Sequence, residues 1–418
     1  MSDASPLRIG FVGSGFIAHF HLTSFEGVRD ARIAGVFSPT LARRNALAER
    51  ANRLGLGPCR AFDSFDAMLL SGEIDAVWVL SPNDSRVATF QAIHDAVVHK
   101  GARIRAVACE KPLARTLAEA QQVLRLTEAA GLAHGYLENQ VFSTAVQRGK
   151  DIVWRRAVPA AGRPYLARAA EEHSGPHEPW FWDGRKQGGG VLSDMMCHSI
   201  EVARYLLSKP GEARDALRVK SVSATVAHLK WTRPRYAAEL AQRMPGIDYG
   251  HSPSEDFARG LVTLEDPDGN EAIIEATTSW AYVGAGLRID LELLGPEYTM
   301  QFSSLGTGLK VFLSRAVSGG TGEDLIEKQN AEAGLMPVVE DEAGIYGYTL
   351  ENRHMVQCFR QGTAPIETFH DGVEVVRIVM ALYKAAEQGR TLTLPDDSLL
   401  HSLPVPARPG ESGHPGTG

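Results

Sequence analysis

The sequence predicts two domains of different class: an α/β domain on a doubly wound parallel sheet, then an α+β domain on an open, largely antiparallel sheet. The 418 residues exceed what one hydrophobic core usually organises. Short apolar strands alternate with helices in the first third, and period-2 patterning with a hairpin turn replaces that rhythm afterwards. We place the domains at 1–138 and 139–398, followed by a loose tail rich in Pro, Gly and Ser at 399–418.

The elements of the first domain follow from its apolar runs. Four short runs are apolar almost without interruption: LRIGFVGSG, ARIAGVFS, IDAVWVLSP and IRAVACEKP. Helical stretches such as 41–54 and 85–99 lie between them. Strands that are apolar on both faces and alternate with helices indicate a parallel sheet covered on each side.

The second domain has the alternation of a half-exposed sheet. In LRIDLELLG, Ile289, Leu291 and Leu293 share one face and charged residues share the other. LVTLEDPDGNEAIIEATTSW predicts a hairpin that turns at Asp-Pro-Asp-Gly-Asn. Helical runs at 349–360 and 372–388 follow the sheet.

Composition excludes several classes of protein. A formal charge of −7 without a run of Lys or Arg argues against a nucleic-acid or membrane-surface partner. The start of the chain lacks the pattern of a signal peptide, and no apolar run approaches the roughly 20 residues that span a bilayer. The four cysteines are scattered and no cluster has metal-ligand spacing, so we expect reduced thiols, a cytoplasmic location and no metal.

The loop after the first strand has the glycine pattern of dinucleotide-binding sites, in the order Gly13, Ser14, Gly15, Phe16, Ile17, Ala18. Gly13 permits a tight turn, Gly15 lets the backbone approach a pyrophosphate, and Ala18 lets the helix pack closely on the sheet. Such a pattern also arises by chance in ordinary turns. Its position between a strand and a helix favours a Rossmann dinucleotide site.

The end of the second strand bears on the choice between NAD and NADP. An acid that binds the adenosine ribose is expected about 20 residues after the glycine loop, but Ser38 stands there instead. Ser38 can hydrogen-bond a ribose hydroxyl without repelling a 2′-phosphate. Arg43 and Arg44, one turn into the next helix, could reach such a phosphate or could simply be solvated. We expect NAD, with NADP left open.

A lysine follows another strand directly. Glu110 ends the run IRAVACE, and Lys111 and Pro112 come next. Ligands of an open parallel sheet bind at the carboxyl ends of its strands, which places Lys111 on that edge. Pro112 excludes the α region for Lys111, and Thr116 with Glu119 predicts a capping box for the next helix. The other interpretation is a surface lysine that begins a loop.

A second candidate pair lies in QGGGVLSDMMCHSIEVARYLL. Asp194 and His198 are four residues apart on a predicted helix, and they point away from its apolar side. From the residues alone, the pair is either a solvated surface bridge or a carboxylate that orients a histidine toward a cleft. Cys197 points about a quarter turn from His198, which argues against a metal triad.

Aromatic and polar residues are concentrated just upstream, in EEHSGPHEPWFWDGRKQ. His173, Trp180 and Trp182 are suited to a sugar ring, by stacking on its C–H face and hydrogen bonding to its hydroxyls. The tryptophans suit an interdomain core equally well.

Taken in order, the glycine loop, Ser81-Pro82-Asn83, Glu110-Lys111-Pro112 and the stretch Gly-Gly-x-x-x-Asp-x-x-x-His resemble the Gfo/Idh/MocA family of sugar and inositol dehydrogenases. The resemblance extends from Leu7 to about Pro395. It implies an NAD(P)-dependent oxidoreductase acting on a ring hydroxyl of a sugar, a sugar derivative or a cyclitol. A redox-neutral glycosidase or lyase with bound NAD, and a non-catalytic dinucleotide-binding sensor, are the alternatives.

The resemblance also implies residue roles. His198 would accept the hydroxyl proton, Asp194 would orient it, and Lys111 would hydrogen-bond to the same oxygen. Cofactor contacts would come from Gly13, Ser14, Gly15, Phe16, Ile17, Ser38, Arg43, Pro82, Asn83, Glu110, Lys111 and Asn139, and substrate contacts from Lys111, His173, Trp180, Trp182, Asp194 and His198. Family members commonly pair through the exposed sheet face, so we expect a homodimer or homotetramer.

This chain departs from the family pattern at three places. Met196 stands where the family usually has glycine, and Arg86 stands where it often has histidine. The segment 231–254 is longer than the family minimum, and we expect it to line or cover the substrate site.

Overall fold

The computed structural model describes residues 5–247, 249, 253–284, 286–306, 310–313, 334–337, 339 and 341–408. The chain forms two compact units, and each unit combines two separate stretches of sequence. The first unit comprises Met1–Ser143 and Tyr346–Glu374, and the second comprises Thr144–Ile345 and Val375–Gly418.

The amino-terminal stretch of the first unit alternates strands and helices. Its elements are β1 (Leu7–Val12), α1 (Phe16–Ser24), β2 (Ala31–Phe37), α2 (Leu41–Arg53), β3 (Arg60–Ala61), α3 (Phe65–Leu70), β4 (Ala76–Val79), α4 (Arg86–Lys100), β5 (Ala106–Glu110), α5 (Leu117–Ala129) and β6 (Ala133–Leu137). The six strands form one parallel sheet in the order β3-β2-β1-β4-β5-β6. Every residue of β4 and β5 is buried, as expected for a sheet covered on both faces. The predicted doubly wound Rossmann sheet is confirmed.

The predicted capping box at α5 is only half formed. Thr116 Oγ1 accepts a hydrogen bond from the backbone N–H of Glu119 at 3.2 Å, as the pattern predicts. The Glu119 carboxylate instead accepts from the backbone N–H of Arg115, also at 3.2 Å, and pairs with the Arg115 guanidinium. The ion pair with Arg115 therefore draws the Glu119 carboxylate to the N–H of Arg115, one residue before the expected donor, the N–H of Thr116.

The second unit begins after β6. Its elements are α6 (Thr144–Ile152), α7 (Val158–Ala161), β7 (Leu166–Glu172), α8 (Gly184–Gln187), α9 (Val191–Leu207), β8 (Arg218–Ala227), α10 (Pro234–Arg243), β9 (Phe257–Glu265), β10 (Glu271–Ser279), β11 (Arg288–Gly295), β12 (Tyr298–Ser303), β13 (Lys310–Leu313), β14 (Gly334–Pro337) and α11 (Glu342–Ile345). The chain then adds α12 (Tyr348–Gln361) to the first unit, continues through α13 (Phe369–Gln388), and ends its regular structure with β15 (Leu392–Thr393) in the second.

A seven-stranded sheet organises the second unit, in the order β12-β11-β7-β10-β9-β8-β15. All its pairings are antiparallel except β7 with β10. The predicted hairpin is β9 and β10, with Glu265 opposite Glu271. On β11, the predicted inward residues Ile289, Leu291 and Leu293 are buried. The predicted open, largely antiparallel sheet is confirmed.

The helix α9 packs on this sheet, chiefly against β7 and β10. The other face carries ion pairs, such as those of Arg168 with Glu275 at 3.2 Å and with Glu292 at 3.0 Å.

Of the stretch predicted as a loose tail, residues 399–408 include buried Leu399 and Pro406, and residues 409–418 lie outside the described part of the chain. Among the helices that the structure describes, none has both the length and the apolar character needed to cross a bilayer.

The helix α12 is joined to the first unit by buried hydrogen bonds. Its Asn352 accepts from Trp78 Nε1 on β4 and donates to Ser24 Oγ at the end of α1, both at 2.8 Å. It also lies 2.8 Å from His21 Nδ1. A segment more than 200 residues away from β6 thus completes the first unit, which the sequence patterns did not indicate.

Candidate functional site

The glycine loop joins β1 to α1 in the first unit. Gly13 has a φ of +114°, and a Cβ there would lie 2.5 Å from the Leu80 carbonyl oxygen, so the turn itself requires glycine. At Gly15, by contrast, a Cβ would meet no described atom within 4 Å. The space beside Gly15 is therefore not filled by the described chain. Because α1 begins at Phe16, this space lies at a helix N-terminus, where a pyrophosphate fits.

The ribose candidates lie at the end of the neighbouring strand, β2. Ser14 Oγ and Ser38 Oγ are joined by a hydrogen bond of 2.8 Å, and both side chains are buried. Arg44 donates to the Ser38 carbonyl oxygen at 3.2 Å and to Asp63 at 2.9 Å, so its guanidinium already has partners. Arg43 is exposed one turn into α2. Of the two arginines considered for a 2′-phosphate, Arg43 is therefore the better placed.

The other cofactor candidates of the first unit follow β4, β5 and β6. Pro82 and Asn83 come just after β4, and Asn83 is buried. Asn139, two residues beyond β6, is buried and donates to the Tyr346 carbonyl oxygen at 2.7 Å. Because the strands are parallel, all of these residues lie at the carboxyl edge of one sheet, together with the glycine loop and Ser38. The strand order reverses between β1 and β4, and ligands of open α/β sheets bind at such a reversal.

The Glu110–Lys111 segment at the end of β5 is held from several sides. Arg86, which is buried, donates to the carbonyl oxygens of Glu110 and, at 3.3 Å, of Lys111. The Glu110 carboxylate accepts from the backbone N–H of Lys111 at 3.1 Å and pairs with His21 Nε2 at 2.7 Å. The peptide bond between Lys111 and Pro112 is cis. Arg86 thus holds the backbone that carries Lys111 in place.

Burial and charge oppose each other at Glu110. Burial raises the pKa of its carboxyl. The hydrogen bond from His21 and the charges of His21, Lys111 and Arg86 lower this pKa by more than burial raises it, so it lies below its ordinary value. Glu110 is therefore an anion, which supplies a fixed negative charge next to the half-buried Lys111. This environment favours a constrained Lys111 over the alternative of a surface lysine that begins a loop.

The second unit contributes Asp194 and His198, on α9. Both are buried, each with 3% of its surface exposed, and every other residue of α9 is buried too. Asp194 Oδ2 accepts a hydrogen bond from Trp280 Nε1 at 3.2 Å. The interpretation of the pair as a solvated surface bridge is therefore wrong. That interpretation assumed that the polar side of the helix faces solvent. This side is buried as well, and Glu201, which lies on it, pairs with Arg204 and Arg214.

The residues upstream of α9 belong to an aromatic cluster. The ring of Trp182 lies 5.3 Å from that of Trp231, 5.2 Å from that of Tyr249 and 5.2 Å from that of Trp280. Trp182 is buried, and its indole N–H donates to the Pro176 carbonyl oxygen at 3.2 Å. Of the two interpretations given for the tryptophans, packing in a core fits Trp182 better than direct contact with a sugar.

The remaining two substrate candidates differ in exposure. His173 is buried, and its Nδ1 accepts from the backbone N–H of Gly175 at 2.9 Å. Trp180 is half-buried, with its ring stacked on Phe181 at 3.9 Å. Among the three substrate candidates of this segment, Trp180 is therefore the one whose side chain is partly accessible to a ligand.

The long segment 231–254 forms one wall of a cavity in the second unit. The cavity has a volume of about 360 Å³ and lies between α10 and the segment that contains His177. Trp182 and Trp231 line it, together with Leu240 and Arg243 of α10. This volume is in the range of small-molecule pockets.

Sequence reasoning missed Trp280. It follows β10 directly and is 86 residues from Asp194, so no spacing pattern connects the two. The one available signal is a tryptophan at the end of a strand, TTSW, because a buried indole N–H usually needs a hydrogen-bond acceptor.

Comparison with known proteins agrees with the two units. Residues 7–136 match the GFO/IDH/MocA oxidoreductase family with its NAD-binding Rossmann fold, and residues 159–300 match the GFO/IDH/MocA C-terminal domain. D-glucoside 3-dehydrogenase of Escherichia coli K12 is 29% identical over 224 residues, which cover 53% of this chain and 58% of that protein. Levoglucosan dehydrogenase of Pseudarthrobacter phenanthrenivorans is 26% identical over 413 residues, 94% of this chain and 99% of that protein.

Solved structures show the same fold. GenD2 from gentamicin A biosynthesis, in complex with NAD, has a TM-score of 0.74 at 23% identity and covers 94% of this chain and 97% of its own. Levoglucosan dehydrogenase in complex with NADH has a TM-score of 0.68 at 19% identity and covers 94% and 100%. The two family domains together cover more than half of the sequence. The chain therefore belongs to the Gfo/Idh/MocA family of oxidoreductases, with an NAD-binding Rossmann domain in its amino-terminal part, as its motifs predicted.

Proposed function

We propose that this protein is an NAD-dependent dehydrogenase that oxidises a ring hydroxyl of a sugar, a sugar derivative or a cyclitol. The observation that carries the proposal is the buried pair Asp194 and His198, with the carboxylate held by Trp280. A buried carboxylate and a buried imidazole cost stability unless they are hydrogen-bonded or paired, and titratable groups buried in this way are concentrated at functional sites. The relatives named as glucoside and levoglucosan dehydrogenases support the class of substrate.

The cofactor would be held by the carboxyl edge of the first sheet. The loop Gly13–Ile17 would receive the pyrophosphate, because the space beside Gly15 is open and lies at the start of α1. Ser38 would bind the ribose, and Pro82, Asn83, Glu110 and Asn139 would line the edge toward the nicotinamide. NAD supplies the hydride acceptor when it is bound. NADP is the alternative cofactor, and the exposed Arg43 would bind its 2′-phosphate.

The protein's own part in the reaction is to move a proton and to orient groups. His198 would accept the proton of the substrate hydroxyl, because an imidazole exchanges protons near neutral pH. Asp194 would fix the imidazole's orientation, and the indole of Trp280 would fix Asp194. Lys111, on a strand end fastened by Arg86, would hydrogen-bond to the reacting oxygen.

A screen of sugars and cyclitols with NAD and NADP, read at the absorbance of the reduced nicotinamide, tests this proposal. His198→Asn should lower turnover by about 10²–10⁴-fold and leave NAD affinity nearly unchanged, because a general base contributes this much. His354→Asn, which alters a half-buried histidine on α12, should keep full turnover and serves as the control. Full activity of the His198 variant would contradict the role. Glycoside cleavage without net NADH would identify a redox-neutral enzyme instead.

We also propose a homodimer or homotetramer in a reducing, cytoplasmic setting. The exposed sheet face supports self-association, because it combines the Arg168 and Arg259 ion pairs with the exposed side chains of Leu261 and Ile273. The four free, buried cysteines suit reduced thiols. Light scattering at micromolar concentration that gives a 45.3 kDa particle would contradict the oligomer.

A further inference from the structure

The start of α9 lacks a cap of the usual kind. The first N–H groups of a helix have no partner within it, and an N-cap side chain normally accepts from one of them. The residue in the N-cap position here is Gly190, which has no side chain. Other parts of the chain must supply the acceptors, because this helix end is buried.

Glu255, just before β9, supplies two kinds of acceptor. Its carbonyl oxygen accepts from the N–H of Val191 at 3.1 Å. Its Oε1 accepts from the N–H of Leu192 at 3.0 Å and from that of Gly190 at 3.1 Å. One residue therefore satisfies three consecutive N–H groups at the start of α9, those of the N-cap Gly190 and of the first two helical residues.

Tyr383, on α13, supplies the rest. Its hydroxyl accepts from the N–H of Ser193 at 3.1 Å and from that of Gly190 at 2.9 Å. The same hydroxyl donates to Glu255 Oε1 at 2.6 Å. The phenol and the carboxyl thus form one buried cap that closes the whole first turn of α9.

This cap also accounts for two glycines of the family stretch Gly-Gly-x-x-x-Asp-x-x-x-His. Gly189 has a φ of +139°, and a Cβ there would collide with the Tyr383 hydroxyl. A Cβ on Gly190 would lie 2.6 Å from both the carbonyl oxygen and Oε2 of Glu255. Glycine is required at both positions because the cap approaches the backbone this closely.

We propose that Glu255 and Tyr383 are positioning residues, which fix the first turn of α9 and through it the side chains of Asp194 and His198. Asp194 is the first residue after the capped N–H groups, and its own N–H donates to the Gly190 carbonyl oxygen at 3.0 Å. His198 follows one turn later on the same rigid helix. A first turn that shifts or frays would move the carboxylate away from Trp280 Nε1. The inference rests on the proposed function, in which these two side chains handle the substrate proton.

Three cap variants and one control test the inference. Tyr383→Phe and Glu255→Ala should lower kcat by about 10–100-fold, with KM and NAD affinity unchanged, because misplaced catalytic groups cost rate more than binding. Glu255→Gln should keep most of the rate, because the amide oxygen can accept the same hydrogen bonds. Tyr298→Phe is the matched control: it removes the hydroxyl of a half-buried tyrosine on β12 in the same unit, which donates to the Gly162 carbonyl oxygen at 2.9 Å.

Hydrogen–deuterium exchange over the peptide 187–207 gives a readout that needs no substrate. Exchange at the start of α9 should accelerate in Tyr383→Phe and Glu255→Ala but not in Tyr298→Phe. Folded Tyr383→Phe and Glu255→Ala proteins with wild-type kcat, or with wild-type exchange, would overturn the inference. If the wild-type protein oxidises no sugar or cyclitol, the proposed function fails, and the exchange experiment then decides whether the cap fixes the helix.

Discussion

Replacing Glu255 by Gln should change how stability depends on pH. Burial raises the pKa of this carboxyl from 4.5 to about 7, although hydrogen bonds from Tyr383 and from the amides of Leu192 and Gly190 lower it. Burial therefore makes the ionised form less favourable in the folded protein than in the unfolded chain. An uncharged amide at the same position does not experience this effect.

The sign and the size follow from linkage. Below pH 4.5 the carboxyl is protonated in both states and contributes no difference. Above pH 7 it is ionised in both, and the folded state is destabilised by about 3 kcal/mol, since each pKa unit corresponds to about 1.4 kcal/mol. The loss develops as the pH rises from 4.5 to 7. Burial also raises the pKa of Tyr383 and Tyr249, so these phenols stay neutral throughout, and the adjacent Asp256 is present in both proteins.

Urea denaturation of the wild type and of Glu255→Gln at pH 5 and pH 8 measures the effect. The free energy of unfolding of the variant, relative to the wild type, should rise by about 2–3 kcal/mol between these two pH values. Glu297→Gln, which removes an exposed carboxyl of the same unit, should show no such change. Parallel pH profiles for the wild type and Glu255→Gln would refute the reasoning.

Three further changes test other contacts. Gly15→Val should abolish NAD binding in a folded protein, because the new side chain occupies the space proposed for the pyrophosphate; wild-type affinity in calorimetric titration would contradict this. Trp280→Phe removes the N–H donated to Asp194 and should lower turnover by about 10–100-fold, the worth of a hydrogen bond to a charged group; unchanged steady-state kinetics would exclude that role. Arg86→Gln should lower the free energy of unfolding by about 2–3 kcal/mol, because it loses charged hydrogen bonds to Glu110 and Lys111; denaturation at an unchanged midpoint would show that these bonds contribute little.

The sheets were predictable because their signals are local. An apolar run or a strict alternation reports the burial of its own strand, and β11 and the β9–β10 hairpin have the predicted bounds within a few residues. The glycine loop and Lys111 were predictable for the same reason, since each follows a strand directly. The chemistry of these positions depends on where a strand ends, and the sequence shows that directly.

Burial of polar residues was not predictable in this way. Asp194 and Glu201 lie on the polar side of α9, which a helical projection assigns to solvent. Their burial depends on partners such as Trp280 and Arg214, which come from other elements. The docking of α12 on the first unit likewise depends on Asn352, for which no local pattern exists. Contacts of this kind arise from three-dimensional packing between distant segments, so no periodic pattern in the sequence indicates them.

The placement of Asn352 has a consequence for synthesis on the ribosome. The indole N–H of Trp78, fully buried on β4, has its acceptor 274 residues later in the chain. Until translation reaches α12, the emerging nucleotide-binding half lacks that acceptor and the apolar cover that Met355 and Phe359 give to Gly135. The amino-terminal stretch of the first unit is therefore synthesised first, but the unit is complete only after α12 has been made. Nascent chains that end before Gln361, the last residue of α12, should be the ones that engage chaperones, which bind exposed apolar surface.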